Sequence, residues 1–214
     1  MEAREHHRGL TPRALLRRHL FWMSPHPLGV VGTPRQCLID IDEAGIWLEK
    51  CNRRYGKAYK GVAVREPGKY GHGKKWTIIL AIDCQGRRWM RFAKESGTST
   101  AIFDQFCQSI INSLTSPLAP VNPGLQRTFM WDNLSAHHSA QVYNTVTFAG
   151  HRVLARPPYR PVDDPIEYIF NQLQLDLTHR IHTIKNEADF IAAVNAIVTN
   201  LGGFDATFQH CGYQ

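Results

Sequence analysis

The chain has 214 residues, a formal net charge of +7 and 43% hydrophobic residues. This length is enough to bury one substantial core, and the apolar fraction is ordinary for a globular protein. No stretch approaches the run of about 18 apolar residues that marks a membrane span, and the charged first residues lack the apolar segment of a signal peptide. The five cysteines have scattered spacing, which argues against a disulfide framework or a zinc ribbon and predicts free thiols in a reducing compartment.

The positive charge is concentrated in residues 50–75, which hold nine Lys and Arg against one acid, Glu66. Such a segment favours a polyanionic partner, because each neutralised phosphate releases counterions. The alternative is a solvated loop whose charge only maintains solubility. We predict DNA contacts at four lysines of this segment and at one later arginine: Lys57, Lys60, Lys74, Lys75 and Arg160.

In chain order, residues 1–36 are interpreted as a basic N-terminal arm or linker. The arm contains one short helix that follows Thr11 and runs through Phe21, because Thr at the N-cap and Pro at the first helical position suit a helix start. Residues 37–214 are predicted to form a single domain.

Apolar and alternating runs in that domain predict five strands, at 37–42, 76–83, 88–93, 128–131 and 152–155. Helical stripes of apolar residues predict four helices, at 99–114 and 138–148 and from 165 and 186 onward. Three antiparallel strands followed by strand–helix–strand crossovers give an α/β fold with a mixed five-stranded sheet flanked by helices. This is the element order of a ribonuclease H-like fold.

Three carboxylates lie where metal sites are commonly built. Asp42 and Asp132 each follow an apolar run, which predicts that both leave the core at a strand end, and Glu167 lies in the first turn of a helix. Carboxylate oxygens are the ligands that Mg²⁺ and Mn²⁺ prefer. Three such groups can hold two metals roughly 4 Å apart, so the pattern suggests a phosphoryl-transfer site.

Two of these assignments have close competitors. Asp40 and Glu43 lie beside Asp42 and compete with it for the same role. Asp132 can instead close a local turn together with Asn133 through side-chain hydrogen bonds.

Glu167 has the strongest structural alternative. With Asp164 as N-cap, Pro165 at the first helical position and Glu167 at the third, the segment matches a capping box. His137, five residues after Asp132, either assists at the site or is a hydrogen-bonded surface histidine.

Three segments resemble the motifs of a known family. Leu38–Gly45 is similar to the first-aspartate strand, Trp131–His137 to the second-aspartate motif, and Arg156–Glu167 to the PPYSPDLNPIE motif of DDE transposases. The resemblance is to the mariner-like transposases and related bacterial insertion-sequence transposases. The 34 residues between Asp132 and Glu167 match the usual gap in that group.

The resemblance implies a ribonuclease H-like catalytic domain that cleaves transposon ends and joins them to target DNA. It assigns Asp42, Asp132 and Glu167 as ligands of two Mg²⁺ or Mn²⁺ ions, and it places Asn133 and His137 beside the site without a firm role. The implied partner is double-stranded DNA, with a homodimer left open. The implied location is intracellular and DNA-associated: the nucleus in a eukaryote, the cytoplasm or nucleoid in a bacterium.

The chain departs from the family at four motif positions, where Ser, Asp, Leu and Asn are usual: Arg160, Val162, Asp163 and Asp164. Family members also normally begin with a helix-turn-helix DNA-binding domain, whereas only residues 1–36 precede the first predicted strand. These departures support an alternative function, a catalytically inactive or domesticated DNA-binding module that lacks the helix-turn-helix domain. A nuclease for RNA–DNA hybrids shares the chemistry but not the motifs.

Overall fold

A computed structural model describes residues 10–46, 57–63, 75–94, 97–116, 124–132, 137, 139–158, 160–180 and 182–214. Five strands form one sheet in the order β3-β2-β1-β4-β5. The strands are β1 (Leu38–Ile46), β2 (Trp76–Ile82), β3 (Arg88–Lys94), β4 (Thr128–Trp131) and β5 (Arg152–Ala155). The helices are α1 (Pro12–Met23), α2 (Thr100–Thr115), α3 (Ala140–Phe148), α4 (Pro165–Arg180), α5 (Glu187–Asn200) and α6 (Phe204–His210). The predicted mixed five-stranded sheet flanked by helices is confirmed.

The sheet is antiparallel across β1, β2 and β3 and parallel across β1, β4 and β5. Because successive side chains of a strand point to opposite faces, its residues divide into two apolar layers. Leu38, Met130 and Leu154 face a core shared with α1, α4, α5 and α6. Ile39 and Phe129 face a second core shared with α2 and α3. Both faces are covered, which explains why β2 and β4 are apolar at every position but one.

Strand β1 is longer than the sequence predicts. It continues past Asp42 to Ile46, because its antiparallel pairing with β2 extends as far as Ile46 opposite Trp76. Asp42 therefore lies inside a strand, and the prediction that it ends one is wrong. The strand that does end at this level is β4, whose last residue is Trp131.

The N-terminal helix packs against the domain core. Thr11 caps α1 as predicted, and its hydroxyl accepts the Ala14 N–H. Phe21 is buried, and Trp22 lies between it and Tyr213, with ring centroids 5.2 Å and 5.0 Å away. The boundary between residues 36 and 37 stays a prediction.

Helix α6 is absent from the sequence prediction, since a seven-residue helix after Gly203 gives too few turns for a periodic pattern. The four cysteines that the structure describes are buried free thiols: Cys37, Cys84, Cys107 and Cys211. Within the described part of the chain, no helix combines the length and hydrophobicity needed to cross a membrane.

Candidate active site

The parallel register of β1 and β4 brings the first two predicted carboxylates to the same level. Asp40 pairs with Met130, and the same register two residues further along places Asp42 beside Asp132. Neighbouring strands lie about 4.8 Å apart. Both aspartates are partly exposed, so they lie at the edge of the core rather than inside it.

The third carboxylate, Glu167, lies in the first turn of α4, which packs on the Asp42 face of the sheet. Burial, followed by repulsion from the Asp42 carboxylate, raises the pKa of Glu167. That repulsion indicates that the side chains of Glu167 and Asp42 lie near each other. A strand and a helix 125 residues apart in the chain thus present their acids to the same region.

His137 links strand β1 to the residue that follows strand β4. Its Nδ1 lies 2.7 Å from Oδ1 of Asp132, and its Nε2 lies 2.9 Å from Oε1 of Glu43. The ring stacks on Phe103 of α2 at a centroid distance of 3.9 Å, and only 1% of the residue is exposed. The interpretation of His137 as a surface histidine is therefore wrong.

The charge of His137 follows from this bridge. Burial opposes the imidazolium, but the hydrogen bonds with Asp132 and Glu43 outweigh it and raise the pKa of His137 to about 9. The ring is therefore protonated at neutral pH and donates from both nitrogens. Glu43 follows Asp42 in β1, so its side chain lies on the other face of the sheet, and the choice of Asp42 over Glu43 stays a prediction.

Arg156 is a site residue that sequence analysis does not assign. It directly follows β5, is 2% exposed, and donates its main-chain N–H to Trp131 O. Its Nη2 donates to Oδ2 of Asp42 at 2.8 Å, and its Nη1 lies 3.3 Å from Oδ1 of Asp40 and 3.3 Å from Oδ2 of Asp164. One buried guanidinium thus contacts three carboxylates.

Asp40 caps helix α4 from a distant strand. Its Oδ2 accepts the Ile166 N–H at 3.0 Å, although the two residues are 126 positions apart. Helix α4 begins at Pro165, as the capping-box pattern predicts. The Asp164 side chain, however, is paired with Arg156, and the Asp164 N–H is donated to Pro161 O. The hydrogen bond expected from the local N-cap therefore comes from Asp40.

Acids exceed the buried cation in this cluster. Burial raises the pKa of Asp40 to about 6 and that of Asp164 to about 8, while Arg156 acts in the opposite direction on both. Burial lowers the pKa of Arg156, but Asp40, Asp164 and Asp42 outweigh it and raise that pKa well above its usual value. This is thus the acidic end of the sheet.

The residues predicted to contact DNA lie partly outside the described residues. Lys57, Lys60 and Lys75 are exposed. Arg160 is half-buried and lies 3.4 Å from the Asp163 carboxylate. Lys74 and Asn133 lie outside the described residues, so their predicted roles stay predictions.

The three predicted ligands have the donor atoms that a hard divalent cation prefers. Asp42, Asp132 and Glu167 offer only carboxylate oxygens, and each is partly exposed. Among the residues that the structure describes, no three His, Cys, Asp or Glu side chains are grouped closely enough to hold a metal ion. Asp42 is hydrogen-bonded to Arg156 and Asp132 to His137, so a shared metal requires these carboxylates to turn towards each other.

A family model described as DDE superfamily endonuclease matches residues 38–190. The chain belongs to this family. The match begins with β1 and ends inside α5, so it includes all three predicted ligands. No curated protein sequence matches the chain significantly.

The fold is also that of solved transposase structures. The Mos1 transposase paired-end complex with a left transposon end has a TM-score of 0.69 at 15% identity and covers 94% of this chain. The Mos1 transposase catalytic domain with raltegravir and Mn has a TM-score of 0.59 at 14% identity, with 84% of this chain and 78% of that one covered. The match to the paired-end complex spans 59% of the Mos1 chain. At these identities the likeness shows the fold, and the predicted ribonuclease H-like class is confirmed.

Proposed function

We propose that this chain is the catalytic domain of a mariner-like transposase, which nicks DNA and transfers the freed strand. The observation that carries the proposal is the meeting of β1, β4 and α4 at the acidic end of the sheet. There the strand register aligns Asp42 with Asp132, and Glu167 is close enough to feel the charge of Asp42. The solved structures with this fold include transposases in complex with transposon ends and with Mn or Mg.

In the proposed site, Asp42, Asp132 and Glu167 hold two Mg²⁺ or Mn²⁺ ions. When bound, these ions activate the attacking water or 3′-hydroxyl and stabilise the leaving oxygen. The imidazolium of His137 holds the Asp132 carboxylate by its Oδ1 and is itself locked by Glu43 and Phe103. Hydrogen bonds of this kind fix the orientation of a ligand, so binding of a metal shared with Asp42 requires this contact to adjust.

The decisive experiment is plasmid nicking by the full chain in Mg²⁺ or Mn²⁺. We expect conversion of supercoiled to nicked DNA, and a loss of about a hundredfold or more in Asp132→Asn. The matched control is Asp104→Asn, which removes an acid of α2 that is bonded to Thr145 and Gln141. Equal nicking by the parent and Asp132→Asn contradicts the assignment of Asp132.

We further propose that the exposed lysines of the basic segment bind double-stranded DNA, either transposon ends or target. Lys57→Glu combined with Lys60→Glu should weaken binding and lower the salt slope by roughly 2, since each phosphate contact contributes about 0.9. The control makes the same charge change at exposed Arg152 and Lys185, outside the segment. Equal slopes in the two double variants refute the role of the basic segment.

DNA binding without metal-dependent nicking is the result that would favour the alternative, an inactive DNA-binding module. A homodimer and a nuclear or nucleoid location remain predictions that follow from the resemblance alone.

A further inference from the structure

Arg156 connects the elements that carry the proposed metal ligands. It follows β5 directly, and its guanidinium reaches Asp40 and Asp42 on β1 and Asp164 just before α4. These contacts join β1 to β5 and α4, which lie more than 100 positions later in the chain. Arg156 itself is 2% exposed, so solvent does not screen the interaction as it does for a surface ion pair.

The shape of the guanidinium restricts where its partners can lie. Its Nη2 donates both to Asp42 Oδ2 and to the main-chain oxygen of Ile41, at 2.8 Å and 3.1 Å. Because the fork is planar and rigid, it fixes the direction of the Asp42 carboxylate as well as its charge. A lysine ammonium also has three donors, but they lie on one nitrogen at the end of a flexible stem, so it does not fix these partners in one plane.

Asp40 extends this connection to the third ligand. Its Oδ1 lies 3.3 Å from Arg156, while its Oδ2 accepts the N–H of Ile166, the residue before Glu167. The first turn of α4 is therefore tied to the strand that holds Asp42. Moving Asp40 displaces Glu167 relative to Asp42, whereas the two ligands share no bond of their own among the contacts described.

We propose that Arg156, acting through Asp40, is a positioning residue of the active site that sets the Asp42 carboxylate and the Glu167 turn at their working separation. This inference rests on the proposed function, since it presumes that Asp42 and Glu167 bind metal. The inference goes beyond the proposed function by assigning a positioning role to Arg156 and Asp40, which lie outside the carboxylate triad. Arg156 and Asp40 touch neither substrate nor reacting atoms in this scheme.

The competing explanation is that Arg156 only stabilises the fold through its ion pairs. A measurement of metal binding distinguishes this explanation from a positioning role. Loss of folded protein lowers the number of metal sites and the cleavage rate by the same factor. Loss of positioning leaves the number of sites unchanged. It slows cleavage at saturating metal, where a change in metal affinity no longer limits the rate.

The test combines a Mn²⁺ titration, followed by electron paramagnetic resonance, with nicking at saturating Mn²⁺, on the parent and Arg156→Gln. We expect an unchanged number of Mn²⁺ sites per chain and cleavage slower by about tenfold to a hundredfold at saturating Mn²⁺. Parental cleavage, or a fall in site number equal to the fall in rate, overturns the inference. Arg127→Gln is the matched control, because Arg127 is equally buried but lies at the other end of the parallel strands. That control should keep the parental Mn²⁺ binding and cleavage rate per folded chain.

A second pair of variants keeps the test decisive if Arg156→Gln does not fold. Asp40→Asn retains an oxygen that accepts the Ile166 N–H, whereas Asp40→Leu does not. We expect Asp40→Asn to cleave within a few-fold of the parent at saturating Mn²⁺, and Asp40→Leu to be slower by about tenfold or more. Equal rates in these two variants overturn the inference.

The outcomes also separate this inference from the proposed function. If the parent binds no Mn²⁺, or if Asp132→Asn binds it as well as the parent does, the proposed metal site is wrong. The positioning role is then wrong as well. If the parent binds Mn²⁺ and cleaves DNA, and Arg156→Gln cleaves at the parental rate, only the positioning role is overturned.

Discussion

Two buried arginines lie at opposite ends of the parallel strands and have different partners. Arg127 directly precedes β4 and donates from Nη1 to the main-chain oxygen of Gln36. Arg156 directly follows β5 and contacts the carboxylates of Asp40, Asp42 and Asp164. Both arginines are fully enclosed by the fold, with exposed fractions of 1% and 2%.

The partners of these two side chains shift their pKa values in opposite directions. Burial and then the neighbouring Arg87 lower the pKa of Arg127. At Arg156 burial acts in the same direction, but the three carboxylates outweigh it and raise the pKa. Burial of a cation therefore does not by itself mark a functional site. An excess of acid around the cation is the feature that singles out the Arg156 end as the candidate site, because buried carboxylates are costly to desolvate.

The largest expected effect comes from removing the cation of the acidic end. Arg156→Leu leaves Asp40 and Asp164 buried without their counter-charge, which should lower the free energy of unfolding by about 3–5 kcal/mol. Urea denaturation measures this loss. Adding Asp40→Leu should recover part of it, since the pair is then replaced by apolar side chains. Additive losses in the double variant would show that the two residues are not coupled.

Removing the arginine at the other end should cost less. Arg127→Leu deletes a charged donor to a main-chain oxygen, a change worth about 1.5–3 kcal/mol. It leaves no carboxylate cluster without its cation. Urea denaturation again measures the cost, and a loss equal to that of Arg156→Leu would contradict the distinction between the two ends.

His137→Phe should have a smaller effect. The new ring can still stack on Phe103, but the bridge between Asp132 and Glu43 is lost. Both acids remain partly exposed, so we expect a loss of about 1–2 kcal/mol at pH 6 in the presence of a chelator. A variant as stable as the parent would show that the bridge does not stabilise the fold.

The pH dependence of this loss has a definite sign. Since folding raises the pKa of His137 to about 9, the stability from its charged form is complete below the unfolded pKa of about 6.5. It disappears as the pH rises through 9. The difference between the parent and His137→Phe should therefore shrink between pH 6.5 and 9, as measured by urea denaturation.

The smallest effect is expected at His151, which lies beside Arg127. Burial and then the charge of Arg127 lower the pKa of His151. Folding therefore opposes its protonation, and the parent should lose stability as the pH falls below about 6.5, by less than about 1 kcal/mol. His151→Phe, which can still stack on Phe129, should lack this loss in acid denaturant titrations. A loss of the same size in His151→Phe would assign the acid sensitivity to another group.

Sequence patterns predicted most of the fold because they depend on near neighbours. The apolar run of Trp76–Ile82 and the apolar stripe of Thr100–Thr115 are local patterns that report burial along a single element. Strands β4 and β5 were predicted at their observed bounds. The full length of β1 was not, because its last four residues are held by pairing with β2, and local sequence does not encode that pairing.

The candidate site was also only partly predictable from the sequence. Motif content and spacing singled out Asp42, Asp132 and Glu167, and the structure presents the first two at the same level of adjacent strands. The bridge from His137 to Glu43 spans 94 positions, and no local signal distinguishes Glu43 from an ordinary exposed acid. Arg156 appeared only as the first residue of a proline-rich motif.

By itself, the sequence determined the order of the five strands and of the helices as far as α5, the family, and the three acids proposed to bind metal. The tertiary structure alone decided which side chains neutralise and orient those acids. The physical reason is range: periodicity and turn chemistry act over a few residues, whereas a buried charge must find its partner wherever the fold brings one. At the acidic end of the sheet that partner is Arg156, 114 positions after Asp42.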